Sequence, residues 1–95
     1  PIFDIVVMNP PFYGTHWMGH VTHAFEFLKP GGHLYAILPA TAEVGDSAKH
    51  KKFRDWAGRN SRRYDKVMDW QDLPPESFIS SGTRIQTGIL LLVKK

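Results

Sequence analysis

The tetrapeptide Asn9-Pro10-Pro11-Phe12 stands directly behind a short apolar run, Ile2 to Met8. An asparagine offers a carbonyl acceptor and an amide donor on a short arm. Two prolines stiffen the backbone and carry no N–H, so the peptide groups there mainly accept hydrogen bonds. Phe12 adds a flat apolar face, and Tyr13, in a glycine-containing loop, is a second candidate for stacking. Together these groups suit a planar ring bearing an amine, with acceptors for the N–H bonds and a surface for the ring. The plain alternative is a two-proline turn that binds nothing.

Two other clusters carry chemistry. From Lys49 to Lys66 the chain holds Lys49, Lys51, Lys52, Arg54, Arg59, Arg62, Arg63 and Lys66 against Asp55 and Asp65. That segment is more positive than the whole chain, whose net charge is +3. A basic block of this kind neutralises phosphates, with Lys51, Lys52 and Arg54 as the candidate contacts, or is simply a solvated helix face. His16, His20 and His23 fall at i, i+4 and i+7, spacing at which two or three imidazoles meet a metal, though a polar helix flank reads equally well and no metal is expected. Arg84, after Ser81-Gly82-Thr83, is a phosphate contact or a solvated strand start, and Trp70 is a core or rim aromatic.

The elements that must position these groups follow from pattern. Ile2 to Met8 is β-branched with little alternation, the mark of a strand covered on both faces in a parallel sheet. Trp17, Met18, Val21, Ala24, Phe25 and Leu28 predict a helix from Trp17 to Leu28, with Thr15 as a candidate N-cap and Pro30-Gly31-Gly32 as its end. His33 to Leu38 is a second buried strand, so the first three elements make a βαβ unit with parallel strands. Asp46 or Ser47 caps a second helix running to about Asn60, with Phe53, Trp56 and Ala57 inward. Asp65 to Trp70 reads as a third strand, Leu73 to Gly82 as a loop, and Arg84 to Val93 as the fourth and longest strand. The expected fold is a single three-layer α/β domain over residues 1–95, with about four strands and two main helices.

Composition excludes several classes. With 95 residues, 42% apolar and 22% charged, the chain is one small globular domain rather than a disordered segment. No apolar run approaches the roughly 20 residues that cross a bilayer, and no basic-then-apolar leader is visible. The absence of cysteine excludes disulfides and thiolate metal sites and favours the cytoplasm.

The segment Phe3-Asp4-Ile5-Val6-Val7-Met8-Asn9-Pro10-Pro11-Phe12 resembles the catalytic motif of the amino-methyltransferases, which use S-adenosylmethionine to methylate the exocyclic amine of adenine in DNA or a glutamine amide. Leu28-Lys29-Pro30-Gly31-Gly32-His33-Leu34 resembles the helix-to-strand turn of class I methyltransferases. Leu73-Pro74, Phe78, Ser81-Gly82-Thr83 and the strand ending at Lys94-Lys95 resemble the tail of bacterial and phage adenine-specific DNA methyltransferases. The resemblance implies a partial Rossmann-like sheet of two parallel strands plus a C-terminal antiparallel pair. It implies that the Asn9 side chain and Pro10 carbonyl bind the target amine, that Pro11 shapes that site, and that Phe12 stacks on a base flipped from the duplex.

The family's cofactor site, a strand, a Gly-rich turn, a helix and then an acidic residue, has no counterpart here. The resemblance begins at the family's fourth strand, so the chain reads as the substrate-side half, with no cofactor-binding residue assigned and no catalysis expected alone. Three roles stay open: a piece of a longer enzyme, a non-catalytic nucleic-acid binder, and an inhibitor of a nucleic-acid-acting complex such as a phage or plasmid anti-defence protein. A first strand without its usual neighbour is expected to pair with its own copy in a two-fold dimer or to dock on a protein partner.

Overall fold

The computed structural model describes residues 2–11, 14–62, 67–74, 79–80, 83–84 and 86–95. In chain order these form β1 (Phe3–Met8), α1 (His16–Glu26), β2 (Leu28–Pro39), α2 (Thr41–Val44), α3 (Ala48–Arg59), β3 (Asp69–Asp72), β4 (Ile79–Ser80), β5 (Thr83–Arg84) and β6 (Thr87–Val93). Four strands make one sheet in the order β1-β2-β6-β3, and β4 pairs with β5 separately. β1 runs parallel to β2, while β6 is antiparallel to both β2 and β3. The expected pair of parallel strands and C-terminal antiparallel pair are both present.

The parallel pair requires a crossover, and α1 supplies it. Trp17 and Val21 are fully buried, as the helical spacing predicts; Leu28 is buried too, but as the first residue of β2 and not as the end of the helix. α1 and α3 lie together on one face of the sheet. Trp17 meets Phe53 edge-on at 5.0 Å, and Phe25 meets Trp56 edge-on at 5.2 Å. Beneath them Leu34, Ala36 and Leu38 of β2 alternate inward with Leu90 and Leu92 of β6. Val6 and Met8 of β1 pack against the same cluster. Ser47 caps α3 as expected, its hydroxyl accepting from the His50 N–H at 3.2 Å. Thr15 precedes α1 but makes no side-chain cap bond.

Four expectations are corrected. The first is the third layer. On the face opposite the helices, Ile5 and Val7 are 62% and 74% exposed, and Phe3 and Tyr35 are exposed beside them. The apolar run of β1 is built for two covers, and the described residues supply one. The second is the Pro-Gly-Gly segment, which does not end the helix. α1 stops at Glu26, and Lys29 to Gly32 form a bulge inside β2, with Phe3 opposite Leu28 but Ile5 opposite His33. Gly31 takes a positive φ of 86°. Its N–H donates to the Lys94 carbonyl at 2.7 Å, and the Lys94 N–H donates to the Gly32 carbonyl at 2.9 Å. A side chain on Gly32 would crowd the Lys29 and Asp4 carbonyls, so the bulge needs glycine there.

The third correction concerns the late strands. β3 spans Asp69–Asp72 rather than Asp65 to Trp70, with Asp65 outside the described residues. β6 starts at Thr87, and Arg84 belongs to the short β4–β5 pairing instead. Arg62 fixes the start of β3 by donating to Asp69 from Nε at 2.7 Å and Nη2 at 3.1 Å. These hydrogen bonds, and then the carboxylate charge, raise the Arg62 guanidinium above its ordinary value. The fourth is the expected loop from Leu73 to Gly82, which contains β4 at Ile79–Ser80; α2, a single turn, is an element that no sequence pattern announces.

Gly88 of β6 leaves the space that the Trp70 ring fills from β3. The Trp70 indole is held there by its Nε1–H, which donates to Asp72 at 2.8 Å. Gly88→Ala should therefore push the indole away and destabilise the domain by about 1–3 kcal/mol, the usual cost of overpacking. Urea denaturation followed by tryptophan fluorescence would measure it, and an unchanged midpoint would contradict this packing.

Candidate functional site

In an open α/β sheet, ligands sit beyond the carboxyl ends of the parallel strands. β1 ends at Met8 and hands the chain to Asn9-Pro10-Pro11 at that end. Asn9 and Pro11 are exposed, and Pro10 is buried. Neither the Asn9 side chain nor the Pro10 carbonyl has a hydrogen-bond partner among the described residues. The exposed Asn9 side chain is open to a ligand, whereas Pro10 is buried. Phe12 and Tyr13, the stacking candidates, lie outside the described residues.

The antiparallel partners bring further segments to the same end. Pro39, the last residue of β2, lies opposite Thr87, the first of β6. The Ala40 N–H donates to the Gln86 carbonyl at 2.8 Å, and the Leu73 N–H to the Thr87 carbonyl at 3.0 Å. The Gln86 amide donates to the Leu73 carbonyl at 3.1 Å. Leu73 and Gln86, which bracket β4 and β5, thus stand at the end where Asn9 emerges. Phe78, Ser81 and Gly82 lie outside the described residues. The Pro-Gly-Gly bulge sits at the opposite end, tied to Lys94. Of the described residues that carry the family resemblance, Asn9 to Pro11 and Leu73 stand at the carboxyl end, and Pro30-Gly31-Gly32 and Lys94 at the other.

Two fully desolvated polar atoms, Trp17 Nε1 and Thr87 Oγ1, have no hydrogen-bond partner among the described residues. Each such atom costs about 1–3 kcal/mol. Trp17 opens α1 just after the Asn9 loop, and Thr87 opens β6, so both orphans belong to elements that begin at this end.

The basic segment is sorted by structure. Arg54 donates to the Ala42 carbonyl at 3.4 Å and the Gly45 carbonyl at 2.7 Å, which ties α2 to α3. Arg59 pairs with Asp55, and Arg62 with Asp69. Arg63 and Lys66 lie outside the described residues. Lys49, Lys51 and Lys52 form no ion pair with any described residue. The sequence treats Lys51, Lys52 and Arg54 as one group, but the helix divides them. Lys51 and Arg54 line a cleft with Glu43 and Asp55. Lys52 lines a different one with Lys49, which the grouping by adjacency missed. The signal for that pairing is the spacing Lys49, Lys52, Phe53, Trp56, one stripe of a helix.

The histidines separate likewise. His23 stacks edge-on against Phe27 at 5.1 Å, and His16 lines the cleft with Lys49. No group of three metal-ligating side chains occurs among the described residues. No described helix is long and apolar enough to cross a membrane.

No protein-family model matches the chain, and no curated protein matches its sequence. Among solved structures, the crystal structure of the type I restriction enzyme EcoKI M protein superposes with a TM-score of 0.72 at 23% identity, covering 99% of this chain. The chain spans 21% of the length of that protein. The fold is therefore an α/β, methyltransferase-like fold in part.

The fold raises the question of S-adenosylmethionine. Two strand-to-helix connections occur among the described elements, after β1 and after β2, and neither carries a Gly-x-Gly turn. On that ground the chain alone is not expected to hold S-adenosylmethionine. Calorimetry should detect no S-adenosylmethionine binding in the micromolar range, and a micromolar dissociation constant would refute this assignment.

Proposed function

We propose that this chain is the substrate-side portion of an adenine-specific DNA amino-methyltransferase, working with a cofactor-binding segment docked on β1. The observation that carries the reading is the position of Asn9-Pro10: two unpartnered acceptors at the carboxyl end of the parallel pair, in a chain whose whole length superposes on part of an M protein. In this reading the Asn9 side-chain oxygen and the Pro10 carbonyl accept the two N–H bonds of the exocyclic amine. That arrangement holds the nitrogen lone pair out of the ring plane, toward a donor. Positive charge builds on nitrogen as it reacts, and the two fixed oxygens stabilise it without reorganising. Phe12 and Tyr13 provide the stacking faces for the extruded base, and Pro11 stiffens the site. The methyl donor, S-adenosylmethionine, is held by residues outside this chain. Reaction within a cofactor-bearing assembly needs no covalent intermediate, so positioning carries the rate.

The open edge of β1 supports the docking half of the proposal. One edge of β1 pairs with β2, and the other has no strand beside it among the described residues. Its bare face presents Phe3, Ile5 and Val7. An apolar strand with amphipathic cover, from a cofactor-binding segment or from a second copy, fits that edge. Val6 packs against the core, so the residue to change is Val7, which is exposed. Val7→Lys should leave the fold intact and weaken association at least tenfold. Light scattering of the free chain reads self-association, and full assembly of the variant would sink the idea.

A second reading is a non-catalytic remnant that binds nucleic acid, or inhibits a nucleic-acid-acting complex in the cytoplasm. The observation favouring it is the lack of a cofactor cradle in this chain. Salt-tolerant, stoichiometric binding to a protein complex would select it.

The Asn9 role is tested with DNA carrying a mispaired adenine and the same DNA carrying purine, which lacks the exocyclic amine. The chain should prefer adenine by about tenfold, the scale of a good pair of hydrogen bonds to a base edge. Asn9→Ala should abolish that preference. Equal affinity of the unaltered chain for both DNAs would overturn the assignment.

A further inference from the structure

We infer that the cleft between α1 and α3 is a second nucleic-acid contact, which holds a segment of single DNA strand leading to the Asn9 end. The inference rests on the proposed action on DNA and adds a site that the Asn9 motif does not contain.

The cleft measures about 530 Å³ and runs along the first two turns of both helices. Thr15, His16, Gly19 and Thr22 form the α1 wall, and Lys49 and Lys52 the α3 wall. Met18, Phe53 and Trp56 line it as well. No carboxylate lines it, and neither lysine makes an ion pair with a described residue. The cleft holding Lys51 and Arg54 includes Glu43 and Asp55, and the one holding Arg62 includes Asp69. Among these three clefts, this one alone presents cations without a counter-charge.

Its apolar lining suits a base as well as its charge suits a phosphate. Trp56 is half-buried, so part of the indole remains accessible. Phe25 at 5.2 Å and Phe53 at 5.6 Å hold the ring in place. Gly19 opens the opposite wall, where a Cβ would touch nothing within 4 Å. An aromatic platform beside unpaired lysines is the arrangement that binds single strands, with bases stacking and phosphates paired. The lysines also sit in the first two turns of α3, where the helix dipole disfavours cations and no acidic side chain occupies the first turn. An anion between the two relieves that repulsion.

Position links the cleft to the reaction end. Thr15, the residue before α1, and His16, its first, follow Pro11 by four and five residues. A strand lying across Lys49 and Lys52 therefore passes the loop that carries Asn9-Pro10.

The test is binding of a short fluorescent deoxyadenosine oligonucleotide to the full chain, by anisotropy across a salt series. Lys49→Ala with Lys52→Ala should lower affinity at least tenfold. It should also flatten the log–log salt slope by about 1.4, at roughly 0.7 per phosphate for a single strand. Both lysines are exposed, so circular dichroism should show an unchanged fold. Lys29→Glu, at the opposite end of the sheet, removes the same net charge and should change affinity less than twofold. Trp56→Leu should lower affinity without changing the slope. If the lysine pair behaves like Lys29→Glu, the cleft is a solvated groove and the inference fails. If the lysine pair is silent while Asn9→Ala still abolishes the adenine preference, the cleft falls and the proposed function stands. Flattening without any adenine preference would keep the cleft and sink the role of Asn9. No binding at low salt would overturn both.

Discussion

β2 is the element on which the remaining geometry depends, because it pairs on both edges in opposite senses. Parallel pairing with β1 forces the intervening chain across one face of the sheet, and α1 is the helix that results. Antiparallel pairing with β6 makes β6 begin where β2 ends. That brings Gln86 and Thr87 to the end where β1 releases Asn9. β3, also antiparallel to β6, delivers Leu73 to the same place. The amino end of β2 is used up by closure, with Gly31 and Gly32 bonded to Lys94. One end of the sheet is thus closed by hydrogen bonds, and the other gathers Asn9, Leu73, Gln86 and Thr87.

The helices add a second constraint. α1 and α3 are locked to each other by aromatic contacts, Trp17 with Phe53 and Phe25 with Trp56, on a single face. A domain of this size buries a smaller fraction of its chain's surface than a larger domain does, and leaving one sheet face bare makes the balance tighter. The bare face is apolar in sequence, with Ile5, Val7, Tyr35, Ile89 and Leu91 on it. A solvated face of an antiparallel sheet normally alternates to polar residues. The residues of β1 and β2 are those of strands covered twice, which is why the unbroken apolar pattern of β1 predicts burial on both faces.

Features fixed by local chemistry were legible. Ser47 caps α3 because its hydroxyl reaches the His50 N–H within one turn, and that bond depends on three residues of sequence. The break after Met8 was legible because Pro10 and Pro11 cannot continue a ladder. The Pro-Gly-Gly segment was misread for the opposite reason. The same residues suit a turn and a bulge, and the choice is made by Lys94, more than sixty residues away. β3 was placed too early because Asp-Trp-Gln-Asp carries no strand pattern of its own. It becomes a strand through the Arg62–Asp69 pair and the Trp70 ring over Gly88. Asn9 could be found from sequence because its place depends on one strand. The α1–α3 cleft could not, because its walls come from segments far apart in the chain.

The basic segment shows how a helix turns a composition into a direction. At about 100° per residue, neighbours in sequence point apart, so Lys51 and Lys52 leave α3 on different sides. On the Lys51 side the cations meet carboxylates, and Arg54 is engaged by the carbonyls that hold α2. On the Lys52 side no carboxylate among the described residues opposes the charge. Electrostatic attraction therefore acts along one groove rather than around the whole helix, and that groove opens beside the start of α1. A cationic groove of this kind steers a polyanion but reads no base, because phosphate contacts position while contacts to base edges specify. The two acceptors at Asn9 and Pro10 have the opposite character. They are too few to hold a strand, and the part proposed for them is to tell an amine from its absence. In the proposed function, affinity comes from one surface and selectivity from the other, and the β2 topology is what leaves that end of the sheet free for both.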